Sequence, residues 1–336
     1  MMSHSYIGIL GLAVLLLIAY AMSENRSKIN YRIIVWGLAL QFGFALLIMK
    51  TSAGVAIFGG IADVVTIGLD KANAGSEFIF GSFLMDEDSV GYIFAVKALP
   101  TIIYISSLFG VLYYLGILQQ IVLIMAKVMS RTMGTSGAES LSCAANVFMG
   151  QTEAPLIIAP YVATMTYSEL CTLMVGGMAT IAGGVMAAYI AMGVQAKFLL
   201  AASVMNAPAA ILISKILVPE TGTPLTKGEV KLKVERKQVN IIDSAAAGAS
   251  AGMTLALNVA AMLIAFLSIL ALLNWPLQAL GNYWGFDLSL EIIFSWIFSP
   301  LAFVMGVPWG TLQPGAGGAE PCYPTRGTGS GQGNAG

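Results

Sequence analysis

Histidine is almost absent from this 336-residue sequence, and the one copy, His4, precedes the first apolar run, a poor place for a catalytic base. Cysteine is nearly as scarce. Cys143, Cys171 and Cys322 show neither metal-ligand nor redox spacing. Charge is thin as well, at 10% of residues, where a soluble domain carries about 25%. The net charge of -1 argues against a nucleic-acid surface. No HExxH or comparable pairing of acids appears, which counts against an intramembrane enzyme. The N-terminal MMSHSY has no Lys or Arg, so the apolar run after it reads as a membrane span, although Ala19-Tyr20-Ala21 resembles a cleavage site.

What remains is apolar residue: 57% of the chain, with a mean hydropathy of +0.83. This composition is that of an all-α polytopic membrane protein. Tyr6–Met22 is long enough to cross a bilayer. The short loop after it holds Arg26, Lys28 and Arg32 against Glu24, so the positive-inside rule makes it cytoplasmic and the N-terminus external. Ile33–Met49 returns. Ala53–Leu84, Gly-rich with Asp63, Asp70, Lys71 and Glu77 spaced through it, reads as an amphipathic helix on the membrane surface. A span from Gly91 to about Leu115 follows, and Gly116–Met133 ends in Lys127 and Arg131, again cytoplasmic. Later come Leu170–Val194, Lys197–Leu217, Ala251–Leu273 and the apolar segment Leu288–Val307. Residues 220–243, with Lys227, Lys231, Lys233, Arg236 and Lys237, form the most polar loop; the span count places it on the cytoplasmic side too. That basic run also fits an anionic-lipid surface, though a topology signal explains it more simply.

The informative stretch is Thr135–Val194. It is apolar, yet Asn146, Gln151, Thr152 and Glu153 fall within eight residues. A carboxylate in hydrocarbon costs about 2.5 kcal/mol or more, so it belongs in a cavity or beside a partner. Pro155 and Pro160 break the chain after the cluster, and Gly176-Gly177 and Gly183-Gly184 interrupt the next segment. Irregular backbone at this depth is tolerated only where it is buried in protein or lines water. The pattern predicts a re-entrant hairpin with Gly150–Glu153 at its tip, then a helix broken at Thr180–Gly184. Broken helices with a polar tip are how secondary transporters build a midplane site. Thr166-Tyr167-Ser168-Glu169 predicts a capping-box helix start, and Glu139 a structural, capping role. The competing readings are an ion pair for Glu153, an interhelical hydrogen bond for Asn146, and back-bonding for Thr180.

At GQTEAP (150–155), followed by GGMATIAGGVMAAY (176–189), the chain resembles the concentrative nucleoside transporters. The resemblance runs from about Tyr6 to Trp309, through SENRSKINYR, GAESLS and MGVPW. It implies cation-coupled nucleoside import across the inner (plasma) membrane by a homotrimer. Each protomer would hold a scaffold and a transport domain of two inverted repeats. It implies that Gln151, Thr152 and Glu153 contact the nucleoside. It also implies that a coupling cation is held by side-chain oxygens of Asn146 and Thr180 and backbone carbonyls of Met149 and Ile181. The GQTEAP form looks more like the sodium-coupled branch than the proton-coupled one. No other cofactor is implied.

On this reading residues 1–133 are scaffold spans with an interfacial helix, and 134–218 are the hairpin and broken helix. Residues 219–250 are the cytoplasmic loop, and 251–309 a scaffold span with a second interfacial helix. From Gly310 the sequence is about one-third glycine, departs from the family and is expected to be disordered. The family's second hairpin, with its NEFVAY motif, and its last helices are not in this sequence. The expectation is therefore a chain truncated after Trp309, with only the first of two inverted repeats complete, which does not transport as written. The alternative is a non-transporting scaffold or assembly fragment.

Overall fold

The computed structural model describes residues 3–85, 87–91, 93–151, 153–228, 238–284 and 288–307. The expectations for Thr152, for Lys231, Lys233, Arg236 and Lys237, and for the tail 310–336 lie outside these. The described chain is helical: α1 (Ser3–Ala21), α2 (Tyr31–Lys50), α3 (Ser52–Phe80), α4 (Ser82–Met85), α5 (Glu87–Val90), α6 (Phe94–Tyr114), α7 (Ile117–Met133), α8 (Gly137–Asn146), α9 (Ala154–Ile157), α10 (Ala159–Val162), α11 (Tyr167–Ala179), α12 (Gly183–Ala191), α13 (Ala196–Leu217), α14 (Ile241–Trp284) and α15 (Leu290–Val304). Six helical segments among the described residues are long and apolar enough to cross a membrane, one of them running through the α11–α12 break. The described residues divide into two compact units, one within 19–263 and one made of those within 1–18 and 264–307.

In the larger unit Ile102, Met133, Leu141 and Ile211 are buried as in any core, but many large apolar side chains face outward and much of the interior is small. Val35, Phe42, Leu46, Leu257 and Met262 stand exposed, while Ala98, Ala126, Ala144, Ala145, Ala207, Ser140, Thr172 and Ser214 are buried. Hydrocarbon solvates the large residues as well as a core would, so close packing of small ones supplies the association between helices. α6 against α14 shows the device. Ser107 Oγ donates to the Ala245 carbonyl at 2.9 Å, and Ser244 Oγ to that of Gly110 at 2.8 Å. A methyl group on Gly248 would stand 2.6 Å from the Ser106 carbonyl oxygen and 2.9 Å from Ser107 Cα, so only glycine fits. Gly248→Leu is expected to destabilise the chain by about 1–3 kcal/mol, the usual cost of overpacking. Thermal unfolding in detergent measures it, and an unchanged midpoint contradicts the packing.

α7 is amphipathic. Leu118, Val122, Ala126, Met129 and Met133 are buried at helical spacing, and Lys127 and Arg131 are exposed. Its last carbonyls are capped from a distance, as Arg32 donates to Arg131 O and Thr132 O, both at 3.0 Å. α3 is one 29-residue helix packed on α2, α6 and α13, and its length and composition are also those of a span. α14 is far longer than the expected Ala251–Leu273. The small residues of 244–250 hide its start from a hydropathy reading, and it continues past Trp275 and through Pro276.

In the smaller unit Asn274 Nδ2 donates to both Glu291 oxygens, at 2.9 and 3.0 Å, and Leu290 N–H donates to Asn274 Oδ1 at 2.8 Å. These contacts and the Ser289 cap start α15.

Candidate functional site

The hairpin begins with a full capping box. Ser136 Oγ accepts from Glu139 N–H, and Glu139 Oε1 accepts from Ser136 N–H at 2.7 Å. The predicted structural role of Glu139 therefore holds. All ten residues of α8 are buried. After Asn146 the backbone turns, and α9 and α10 each carry a proline in the first turn, where its missing N–H costs nothing. The predicted box at Thr166 and Glu169 starts α11.

Both limbs come back to one place. Lys215, on α13 and 3% exposed, has Nζ 2.8 Å from Glu139 Oε2, as an ion pair rather than a directed hydrogen bond. Nζ also donates to Ser168 Oγ at 2.9 Å and Glu220 Oε2 at 3.1 Å. The segment after α13 closes this end: Gly137 N–H donates to Thr226 O at 2.8 Å, and Ala138 N–H to Thr226 Oγ1 at 3.1 Å. Partial burial pushes the Glu220 carboxyl up. The Lys215 ammonium and donors from Gly222 and Thr166 outweigh that and hold it below the ordinary carboxylate value. A cavity of about 420 Å³ lined by Glu24, Thr166, Ser168 and Glu220 opens here, at the end of α11 away from the polar tip.

At the tip the first limb meets the break. A methyl on Gly176 would lie 2.9 Å from Cys143 Sγ, and one on Gly177 would lie 3.0 Å from Gln151 Cβ and 3.8 Å from Asn146 Nδ2. The first glycine pair thus serves close packing. The break itself is extended backbone, with Thr180 at φ -116°, ψ 154° and Ala182 at φ -59°, ψ 144°. Gly183 N–H donates to Phe148 O at 3.1 Å, and Ser203 Oγ donates to Val147 O at 2.9 Å. A side chain on Gly183 would strike the Phe109 ring.

The predicted residues that are described, Thr152 aside, therefore lie along the hairpin tip and the α11–α12 break. Asn146 is buried, 1% exposed, and its Oδ1 has no hydrogen-bond partner among the described residues. Thr180 Oγ1 donates to Gly176 O at 2.8 Å, the back-bonding geometry, which leaves its lone pairs for another group. Met149 and Ile181 lie in the two irregular segments. Gln151 and Glu153 are exposed at the tip. Glu153 makes a long contact from Gly150 N–H at 3.4 Å and, among the described residues, no ion pair. The residue that sequence reasoning missed is Lys215. It lies in the last turn of α13, and only the fold brings Glu139 to it.

Known proteins resemble this chain in sequence and fold. The sequence fits the family descriptions "Na+ dependent nucleoside transporter N-terminus" over residues 10–83, "Nucleoside recognition" over 95–196 and "Na+ dependent nucleoside transporter C-terminus" over 198–316. A Haemophilus influenzae protein named only as an uncharacterized transporter is 47% identical over 300 residues, covering 89% of this chain and 72% of the relative. The chain belongs to the concentrative nucleoside transporter family. Mouse sodium/nucleoside cotransporter 1 is 42% identical over 89% of this chain, which spans 46% of that protein's length. A structure of CNTnw in an inward-facing substrate-bound state superposes with a TM-score of 0.85 at 38% identity, over 92% of this chain and 74% of that one. This concentrative nucleoside transporter is accordingly a multi-pass plasma-membrane protein and not an enzyme. The family match reaches residue 316, beyond Trp309, where the resemblance was expected to stop.

Proposed function

We propose that this transporter couples nucleoside import to sodium, and that the hairpin tip and the broken helix hold both. Gln151, Thr152 and Glu153 bind the nucleoside. Its base and ribose present donors and acceptors that an amide, a hydroxyl and a carboxylate match, and leaving such groups unpaired rejects analogues. Sodium is bound by Asn146 Oδ1, Thr180 Oγ1 and the carbonyls of Met149 and Ile181. The observation that supports this most is the unpartnered amide oxygen of Asn146, buried where two helices stop together. An unsatisfied buried acceptor costs about 1–3 kcal/mol, and a hard monovalent cation would offset that. Neutral oxygens at a broken helix suit such an ion. The family descriptions name sodium, which favours it over the proton alternative. The homotrimer is part of the same proposal; its test is native mass in detergent, where three copies are expected and a single copy overturns it.

The test is hydrogen exchange on the full chain in detergent, with sodium chloride against choline chloride at constant ionic strength. Slowed exchange in 143–150 and 176–183 with sodium is expected. Equal exchange in both salts refutes the cation assignment.

A further inference from the structure

One buried charged group takes no part in the site just described. The Lys215 ammonium has three N–H donors and three partners: Glu139 on α8, Ser168 on α11 and Glu220 beyond α13. Burying an ammonium and two carboxylates is costly, and such groups often add little net stability over an apolar packing of the same shape. Their best-attested use is to fix register between elements.

Register matters here. Asn146 follows Glu139 by two turns of α8, about 10 Å along the axis. Ser168 lies at the start of α11, the helix that ends at Thr180. Between the charged end and the tip the two helices touch in steps. Cys143 Sγ faces the Thr172 carbonyl at 3.9 Å, Thr172 Oγ1 and Ser214 Oγ of α13 are hydrogen-bonded at 2.9 Å, and Gly176 lies against Cys143. A slip of α8 against α11 at the Lys215 end would carry Asn146 away from Thr180 at the other.

We propose that Lys215 is a positioning residue for the cation site: by tying Glu139 to Ser168 it sets the axial register that brings Asn146 and Thr180 to one ion. This rests on the sodium reading above.

The experiment uses the full chain in detergent and two readouts, the melting midpoint and hydrogen exchange in 143–150 and 176–183 across a sodium chloride titration balanced with choline. Lys215→Met alone leaves Glu139 buried without a counter-charge and is expected to lower the midpoint. Adding Glu139→Gln removes that stranded charge and is expected to recover the midpoint. In the double variant exchange at the tip without sodium is expected to be about tenfold faster, and the half-saturating sodium concentration about tenfold higher, the scale of losing a supporting partner behind a metal ligand. Lys215→Arg, which keeps the charge, is expected to restore part of both. A double variant with native tip exchange and native sodium response overturns the proposal, because the residue then only balances charge. If the double variant does not fold, Ser168→Ala decides: it removes one partner and leaves the charges paired. A shift of about threefold in the same direction supports the proposal and no shift overturns it. Should the native chain ignore sodium, the cation assignment fails, and tip exchange without sodium alone decides whether Lys215 sets the register.

Discussion

Asn146→Leu is expected to leave the protein as stable in choline as the native chain, or more so, while erasing the increment that sodium adds. The two halves of that result have different causes. The amide oxygen of Asn146 is buried without a partner, and replacing an unsatisfied polar group with an apolar one of similar size removes a desolvation cost. The same change deletes a cation ligand. A ligand at about 100 times its Kd stabilises a folded protein by about 2.7 kcal/mol, so the sodium-dependent rise in melting midpoint is the sensitive readout. A variant that is destabilised in choline would mean that the amide makes a structural bond, and the competing interhelical reading would then stand.

Glu153→Gln is expected to do the reverse. The side chain is exposed at the tip, with one weak contact from Gly150 N–H, so stability should move by no more than about 0.5 kcal/mol. Nucleoside affinity should fall much further. A hydrogen bond to a charged group contributes about 1.5–3 kcal/mol, equivalent to about 10- to 150-fold in Kd. Equilibrium binding of a radiolabelled nucleoside in sodium, native against variant, measures it. A variant that binds as tightly as the native chain removes Glu153 from the site.

The hairpin and the broken helix were legible because their signals are local. Polar residues crowded between apolar runs, prolines at the first turns of α9 and α10, and the cap at Thr166 each report on a few neighbouring residues. The glycine pairs read less directly. Gly176-Gly177 sits inside α11 and lets α8 approach, whereas the break falls on Thr180–Ala182 in ordinary extended backbone. Two features escaped for physical reasons. Lys215 drew no notice in the sequence because its carboxylate partner on α8 is remote along the chain. The start of α14 was hidden because alanine, serine and glycine at 244–252 lower the hydropathy while forming the face that packs on α6.

The account stands on the claim that the hairpin tip faces water although its helices lie among lipid-facing ones. A cysteine at position 151 (Gln151→Cys), in a chain whose three native cysteines are replaced by alanine, tests this with a membrane-impermeant thiol reagent on intact membranes. Labelling at the tip, with none at a Leu263→Cys control on the apolar face of α14, is the predicted result. A tip cysteine as unreactive as that control would contradict it.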